Sequence, residues 1–255
     1  MLEAVVFAIA GLLIGSFLTV VVDRVPRGAS VVSPGSACGA CEHQLTPIEL
    51  VPVLSWLFLR GRCRKCGAAI GVECILIEIV TAGLFVVMHL RFDANLTAAA
   101  FCVFAGGLTG LTVIDLHTKR LPREVTYTTI ALGAPVLVAA ALVAHEPRRL
   151  WMALLGAAIA TAIMLILYAV SRGGMGDGDV RLTPLLGLYL GWVNPGLAPV
   201  GLFLGFVLGA IVGVVMMVVG RAGRRTALPF GPSLAIGALA AVWIGQDVID
   251  LILVR

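Results

Sequence analysis

Charged residues are scarce in this sequence. Only 13% of the 255 residues are Asp, Glu, Lys or Arg, whereas 60% are hydrophobic, and the mean hydropathy is +1.07. A soluble domain carries about 25% charged residues, so an ordinary soluble globule is excluded. Disorder is excluded as well, because it requires low hydrophobicity. The apolar residues form long blocks, not the segments of about ten alternating residues that a transmembrane strand needs. The sequence therefore predicts an all-α integral membrane protein.

Apolar blocks of about 20 residues, the length that crosses a bilayer, recur along the chain. The block at 182–220 has 39 residues and is divided by the turn signal Asn194-Pro195-Gly196, so that it supplies two spans. Counting these two, the sequence predicts about eight transmembrane helices. They cover residues 4–22, 74–90, 94–114, 125–144, 150–171, 182–220 (two spans) and 229–246.

The basic residues predict the orientation of these spans. An even number of spans places both termini on one side, and 14 of the 18 Lys and Arg residues fall in the odd-numbered loops. Because cytoplasmic loops are enriched in Lys and Arg, we expect these loops in the cytoplasm and both termini outside it. Basic residues that flank membrane spans explain the net charge of +4, so no nucleic-acid partner is predicted. The 14 residues are Arg24, Arg27, Arg60, Arg62, Arg64, Lys65, Lys119, Arg120, Arg123, Arg172, Arg181, Arg221, Arg224 and Arg225.

Four cysteines lie in the first loop, between helices 1 and 2, which is the one sizeable soluble segment that the sequence predicts. They form the pairs Cys38-Gly-Ala-Cys41 and Cys63-Arg-Lys-Cys66, separated by 21 residues. Two such pairs are typical of a four-thiolate zinc site. Two disulfides are the alternative, but the cytosol keeps thiols reduced. We expect a structural zinc that stabilises a loop too small for its own core, with Gly39 and Gly67 supplying the turns.

Two aspartates are candidates for chemistry. Asp115 ends the third span, and Asp179 follows a glycine-rich segment before the sixth. The predicted topology places both at the cytoplasmic membrane surface, where ionisable side chains are functional candidates. Two adjacent carboxylates can share one proton, so that one acts as a base on water and the other as an acid. The alternatives are an ion pair between Asp115 and Lys119 and a helix cap by Asp179, and Asp177 is a third candidate.

Four segments of the chain together resemble the type IV prepilin peptidase family of bifunctional leader peptidases and N-methyltransferases. The segments are Gly15-Ser-Phe-Leu-Thr-Val-Val-Val-Asp-Arg-Val-Pro26, Pro52-Val-Leu-Ser-Trp-Leu-Phe-Leu-Arg-Gly-Arg-Cys63, Gly176-Asp-Gly-Asp179 and Pro229-Phe-Gly-Pro232. The third fits the GxGD motif of this class of intramembrane aspartyl protease. The resemblance covers nearly the whole chain. It implies that the family's catalytic aspartates fall on Asp115 and Asp179, and its paired cysteines on Cys38, Cys41, Cys63 and Cys66.

The resemblance also implies an activity and a location. The protein would remove the short basic leader of prepilin-like precursors, after its last glycine, at the cytoplasmic face of the bacterial inner membrane. Residues 1–22 would form helix 1, residues 23–73 the zinc loop, and residues 74–255 the peptidase core. A second implied activity is methylation of the new N-terminus with S-adenosylmethionine, for which no binding residue is identified.

Departures from the family pattern cluster in the N-terminal third, at Thr19, Asp23 and Leu50, away from both aspartates. Because of these departures, the sequence does not decide whether the protein methylates its product. It also does not decide whether Glu49 and Glu78 are functional or only satisfy buried partners. Two other classes are alternatives: a proton- or ion-coupled transporter that uses intramembrane carboxylates, and an assembly factor whose zinc loop binds partners. Transporter sites usually lie near the membrane midplane between internal repeats, and no repeat is visible in this sequence.

Overall fold

The computed structural model describes residues 1–92, 95–171, 174–220 and 228–253, with side chains to residue 245, and within these ranges it is helical without strands. Ala94, Gly173 and the arginines at 172, 221, 224, 225 and 255 lie outside the described residues. Nine α-helices occur in the described ranges. They are α1 (Leu2–Arg24), α2 (Leu54–Phe58), α3 (Val72–Arg91), α4 (Asn95–Thr118), α5 (Arg123–Val143), α6 (Arg148–Ser171), α7 (Asp177–Val193), α8 (Leu197–Val218) and α9 (Gly231–Leu253).

Eight of these helices have 17 or more residues, which confirms the predicted count of about eight long helices. Six are long and apolar enough to cross a membrane, namely α1, α3, α4, α5, α6 and α8. By contrast, α7 has only 17 residues and begins with Asp177-Gly178-Asp179. The part of α9 whose side chains are described, Gly231–Gly245, is apolar. The predicted turn at Asn194 is present and separates α7 from α8. In this turn the Asn194 side-chain oxygen accepts a hydrogen bond from the Gly196 N–H.

The described chain groups by internal packing into two compact units, Met1–Gly110 and Leu111–Arg255. The three-segment division expected from the sequence stays a prediction. In the first unit, α1 lies directly against α3. A Cβ atom added to Gly11 would lie 2.5 Å from the Cα of Ala82, and one added to Gly15 would lie 2.6 Å from the Cα of Glu78. Small residues thus allow the two backbones to approach, as is common between membrane helices.

In the second unit, α7 packs on α6, and α9 packs on α8. A Cβ atom on Gly156 would lie 2.5 Å from the Cα of Gly191, so the glycines on both helices set the spacing of α6 and α7. The outward faces carry large apolar side chains instead. Leu155 is 54% exposed, Phe203 66% and Ile211 54%. A surface of this kind is suited to lipid, and it fits a multi-pass membrane protein.

Candidate active site

Asp115 lies in the last turn of α4, and its side chain is buried although it carries a carboxylate; the residue is 4% exposed. The helix ends just beyond it, where Lys119 adopts a φ of +54°. The Lys119 backbone N–H still donates to the Asp115 carbonyl at 2.8 Å. Among the described residues, Asp115 forms no ion pair with Lys119, so that alternative from the sequence is wrong.

The start of α9 supplies a partner for Asp115. The backbone N–H of Gly231 donates to Oδ2 of Asp115 at 2.8 Å, across 116 residues of sequence. A Cβ atom on Gly231 would lie 2.9 Å from the same oxygen and 2.9 Å from Cδ2 of Leu121, so a larger residue here would displace the Asp115 carboxylate or Leu121. The Pro229–Pro232 motif was recognisable in the sequence, but the hydrogen bond from Gly231 to Asp115 was not predicted from it.

Asp179 lies in the first turn of α7 and is 9% exposed. The residue that caps this helix is Gly176, with an extended backbone, and it makes no side-chain cap hydrogen bond. The explanation of Asp179 as a helix cap is therefore wrong. The start of α7 lies close to Leu121, because a Cβ atom on Gly178 would lie only 3.1 Å from the Cβ of Leu121.

Asp177 differs from Asp179 in its surroundings. It is exposed, and its Oδ2 lies 2.6 Å from the Arg181 guanidinium, one helical turn away. Exposed pairs of this kind are ordinary on helix surfaces. Of the two aspartates in the Gly176–Asp179 motif, Asp179 is the buried one, and its carboxylate is close enough to that of Asp115 for electrostatic interaction. The structure thus brings Asp115 and Asp179 together beside Leu121.

The four cysteines of the first loop converge as the sequence predicts. Their Sγ atoms all lie within 4.8 Å of one another. The Cys38 and Cys66 sulfurs are 3.8 Å apart, and those of Cys41 and Cys63 are 4.0 Å apart. Sulfurs that share a zinc ion at about 2.3 Å in a tetrahedron are separated by about 3.8 Å, whereas a disulfide needs about 2.05 Å. All four cysteines are free thiols, so the disulfide alternative is not supported.

Each cysteine pair sits in a hairpin of the same design. The Cys38 N–H donates to the His43 carbonyl at 2.9 Å and the Cys63 N–H to the Ala68 carbonyl at 2.8 Å. The positive φ that closes each turn belongs to Gly67 (+73°) in the second hairpin and to Glu42 (+55°) in the first. Gly67 supplies a turn as expected, but the expectation for Gly39 is wrong, because the first hairpin turns one residue after Cys41.

Backbone N–H groups point at the first sulfur of each pair. The N–H groups of Ala40 and Cys41 lower the pKa of the Cys38 thiol to about 6. Those of Cys66 and Lys65 lower the pKa of Cys63 in the same way. Hydrogen bonds to a thiolate stabilise its charge, and the thiolate is the form that binds metal. The cluster is therefore chemically suited to a thiophilic cation such as zinc.

Comparison with known proteins shows to which family this chain belongs. Residues 9–92 match the model of the bacterial peptidase A24 N-terminal domain, and residues 102–214 match the type IV leader peptidase family. A protein of Bacillus subtilis (strain 168) named prepilin leader peptidase/N-methyltransferase is 34% identical over 243 residues, which cover 95% of this chain and 94% of the relative. The chain belongs to the type IV leader peptidase family.

Other members of the family show the same extent of similarity. Proteins with the same name are 33% identical in Pseudomonas aeruginosa, covering 92% of this chain and 89% of the relative, and 37% identical in Myxococcus xanthus, covering 88% and 67%. No solved structure matches this chain. The leader peptidase match contains Asp115 and Asp179, and the N-terminal match contains all four cysteines. These relatives give no support to the transporter alternative.

Proposed function

We propose that this protein is a membrane-embedded aspartyl endopeptidase that removes the short basic leader from prepilin-like precursors. The observation that carries the proposal is the pair of buried carboxylates, Asp115 at the end of α4 and Asp179 at the start of α7. Relatives named prepilin leader peptidase/N-methyltransferase, similar over most of this chain, supply the substrate class.

The two carboxylates would act as a pair. Because like charges at close range cannot both ionise easily, one group holds a proton while the other is ionised. The ionised carboxylate takes a proton from water as the water oxygen attacks the scissile carbonyl. The protonated carboxyl then gives its proton to the departing amine. The Gly231 N–H holds the Asp115 carboxylate in place for this step.

The glycine-rich segment ahead of α7 would accommodate the substrate backbone. Gly174 and Gly176 are exposed and precede Asp179 directly, and without side chains they let an extended segment approach. The hydrophobic helix of the precursor would lie among the membrane spans, in contact with lipid. Its scissile bond would then reach the two aspartates at the membrane surface.

The orientation follows from the positive-inside rule. We place the aspartates and the four-cysteine loop on the cytoplasmic side of a bacterial inner membrane and both termini outside the cytoplasm. Basic residues at the ends of α1 and α4 support this orientation, among them Arg24, Lys119 and Arg120. They do not require a nucleic-acid partner.

The four cysteines, Cys38, Cys41, Cys63 and Cys66, would hold a structural zinc ion. Their sulfur separations fit tetrahedral thiolate coordination, and four protein ligands leave no open position for catalysis. Metal analysis of the purified protein should find about one zinc per chain. Cys38→Ser or Cys63→Ser should lower metal content and stability before it alters cleavage, and a zinc-free wild-type protein would contradict the assignment.

Methylation of the new N-terminus is a second activity, supported by the names of the relatives. When bound, S-adenosylmethionine supplies a methyl group on a positively charged sulfur; the nitrogen–methyl bond forms as the sulfur–methyl bond breaks, leaving a neutral thioether, and the amine proton goes to water. The first unit, Met1–Gly110, contains a cavity lined by Glu49 and Glu78, whose carboxylates would suit such a cationic ligand.

Cleavage is tested by incubating the purified full-length protein in detergent with prepilin-like precursors and reading the products by mass spectrometry. We expect loss of the leader after its last glycine. A gain of one methylene on the new N-terminus, only when S-adenosylmethionine is added, would establish methylation separately. A folded, zinc-loaded protein that cleaves none of several precursors would contradict the peptidase assignment.

A further inference from the structure

The first unit contains a half-open cavity of about 610 Å³. Its wall is formed by the end of α1, the two cysteine hairpins, the segment that contains α2, and the start of α3. Small-molecule sites in proteins usually measure about 300–1,000 Å³ and combine apolar walls with a few polar groups. This cavity has the size of such a site, and the peptidase mechanism does not use it.

Glu49 is the polar group that points to a ligand. Its side chain lines the cavity and is only 4% exposed. One carboxylate oxygen, Oε2, accepts hydrogen bonds from the Thr46 N–H at 2.9 Å and from the Thr46 hydroxyl at 2.7 Å. The other oxygen, Oε1, is buried and has no hydrogen-bond partner within the described chain.

Glu49 is ionised in this setting. The N–H and hydroxyl of Thr46 hold the pKa of the Glu49 carboxyl below its ordinary value, and His43, with Nε2 at 3.5 Å from Oε2, acts in the same direction. A buried anionic oxygen without a donor is costly, because hydrogen bonds to charged groups contribute more than those between neutral groups. A cationic donor inside the cavity would satisfy it.

A second carboxylate adds to the acidic character of the wall. Glu78 of α3 is 7% exposed, and its Oε2 accepts from the Val53 N–H at 2.7 Å. Val53 is the central residue of a γ-turn with a φ of +60°, a conformation that a β-branched residue rarely adopts. Glu78 therefore fixes this part of the wall, and within the described residues no ion pair neutralises it.

Two basic residues, Arg24 and Arg64, also line the cavity, beside the acidic residues Asp23, Glu49 and Glu78. The Arg24 guanidinium donates to the carbonyl oxygens of Ser30, Pro34 and Gly35. Trp56 supplies an aromatic wall, and its ring is held because Nε1 donates to the Ile70 carbonyl at 3.3 Å. The same cavity is thus lined by an unpartnered anionic oxygen and by a fixed aromatic ring.

We propose that this cavity binds the methyl donor S-adenosylmethionine, and that Glu49 Oε1 accepts a hydrogen bond from its ammonium group. The proposal rests on the methylation part of the proposed function. The ligand carries a sulfonium and an ammonium, which suit an acidic wall, and a flat base, which suits Trp56. Cys38 and Cys63 also line the cavity, so the metal cluster would shape the methyl-donor site.

Binding is tested without turnover. The full-length protein in lipid nanodiscs is titrated with tritiated S-adenosylmethionine at equilibrium, in the absence of precursor. Glu49→Gln should weaken binding by about tenfold to hundredfold, because it removes the charge from the unpartnered acceptor. Glu42→Gln is the matched control, since Glu42 is an exposed carboxylate of the same loop outside the cavity wall, and its binding should stay within about twofold.

Two further measurements keep the proposal falsifiable if Glu49→Gln does not fold. Ala69→Trp adds volume at an exposed position of the cavity wall without removing a hydrogen bond of the wall, and it should abolish binding while zinc content and leader cleavage persist. Ultraviolet cross-linking of the tritiated ligand should label peptides from residues 16–78, the range that lines the cavity.

The outcomes separate the two proposals. Binding that is weakened in Glu49→Gln and abolished in Ala69→Trp, with the label in residues 16–78, supports the site. Unchanged binding in both variants, a label confined to residues 111–255, or competition by the ammonium headgroup of phosphatidylethanolamine alone would overturn it. A protein that cleaves precursors but binds no methyl donor refutes the cavity inference alone, whereas one that binds the donor but cleaves nothing refutes the peptidase.

Discussion

At the scale of single residues, the candidate site depends on a backbone amide as much as on its carboxylates. The Gly231 N–H holds one oxygen of Asp115, and Leu121 lies against both Gly231 and Gly178. Each of these contacts joins positions far apart in sequence. Buried carboxylates need such donors, because an unpartnered one is expensive to keep away from water.

Replacing Gly231 with alanine should impair cleavage strongly. The added Cβ atom would lie 2.9 Å from Oδ2 of Asp115, so the carboxylate must shift, and a displacement of this size costs about tenfold to hundredfold in turnover. Initial rates with a prepilin-like precursor measure the loss. Gly213→Ala is the matched control, since its Cβ atom would meet only Leu228 Cδ1 at 3.7 Å. Equal rates in the two variants would contradict the role of Gly231.

Asp177→Asn should have a mild effect. Asp177 is exposed and paired with Arg181, and exposed ion pairs contribute about 0.2–1 kcal/mol. We expect cleavage rates within about threefold of wild type. Complete loss of cleavage at normal expression would show that the assignment of the second aspartate to Asp179 is wrong.

At the scale of elements, hydropathy predicted the helices well and the loop poorly. The six helices that are long and apolar enough to cross a membrane follow from apolar block length alone, because each must satisfy its own backbone in lipid. The hairpin turn at Glu42 and the γ-turn at Val53 did not follow, since neither residue favours a positive φ. The γ-turn at Val53 is held by Glu78, which is distant in sequence. The turn at Glu42 is held by the hydrogen bonds of its own hairpin. The capping interaction between Thr46 and Glu49 has the spacing T-x-x-E, a signal that the sequence carries but that was not used in predicting the loop.

The second cysteine hairpin gives a prediction for metal binding. Gly67 has a φ of +73° with open space around it, so Gly67→Ala should cost about 1 kcal/mol from backbone strain alone. Because metal binding and loop folding are coupled, zinc affinity should fall about fivefold. Gly39→Ala is the control, with equally open space and no positive φ. Competition with a zinc chelator measures both, and equal affinities would contradict the hairpin geometry.

At the scale of the whole molecule, the sequence predicted a multi-pass protein and a paired-aspartate site, but the meeting of the two aspartates could not be derived from it. Asp115 and Asp179 are 64 residues apart, and only the packing of the second unit brings them close. The resemblance supplied the pairing before the structure did. The cavity of the first unit had no sequence signal, because its wall is assembled from α1, the loop and α3.

The topology can be tested by labelling in intact cells. Glu146 lies between α5 and α6, Arg120 lies between α4 and α5, and both are exposed. Each is replaced by cysteine, as Glu146→Cys and Arg120→Cys. If the odd-numbered loops are cytoplasmic, a membrane-impermeant maleimide should label Glu146→Cys directly and Arg120→Cys only after permeabilisation, above the wild-type background. The reverse pattern would place the aspartates on the outer face and contradict the proposed orientation.

The central claim is that Asp115 and Asp179 together hydrolyse the leader peptide bond. The most direct measurement compares leader removal by wild type, Asp115→Asn, Asp179→Asn and the Asp177→Asn control, by mass spectrometry of co-expressed precursor. Asp115→Asn and Asp179→Asn, at normal expression, should each lose about 100-fold or more in cleavage while still binding the precursor. Substantial cleavage by either of these two variants would contradict the central claim.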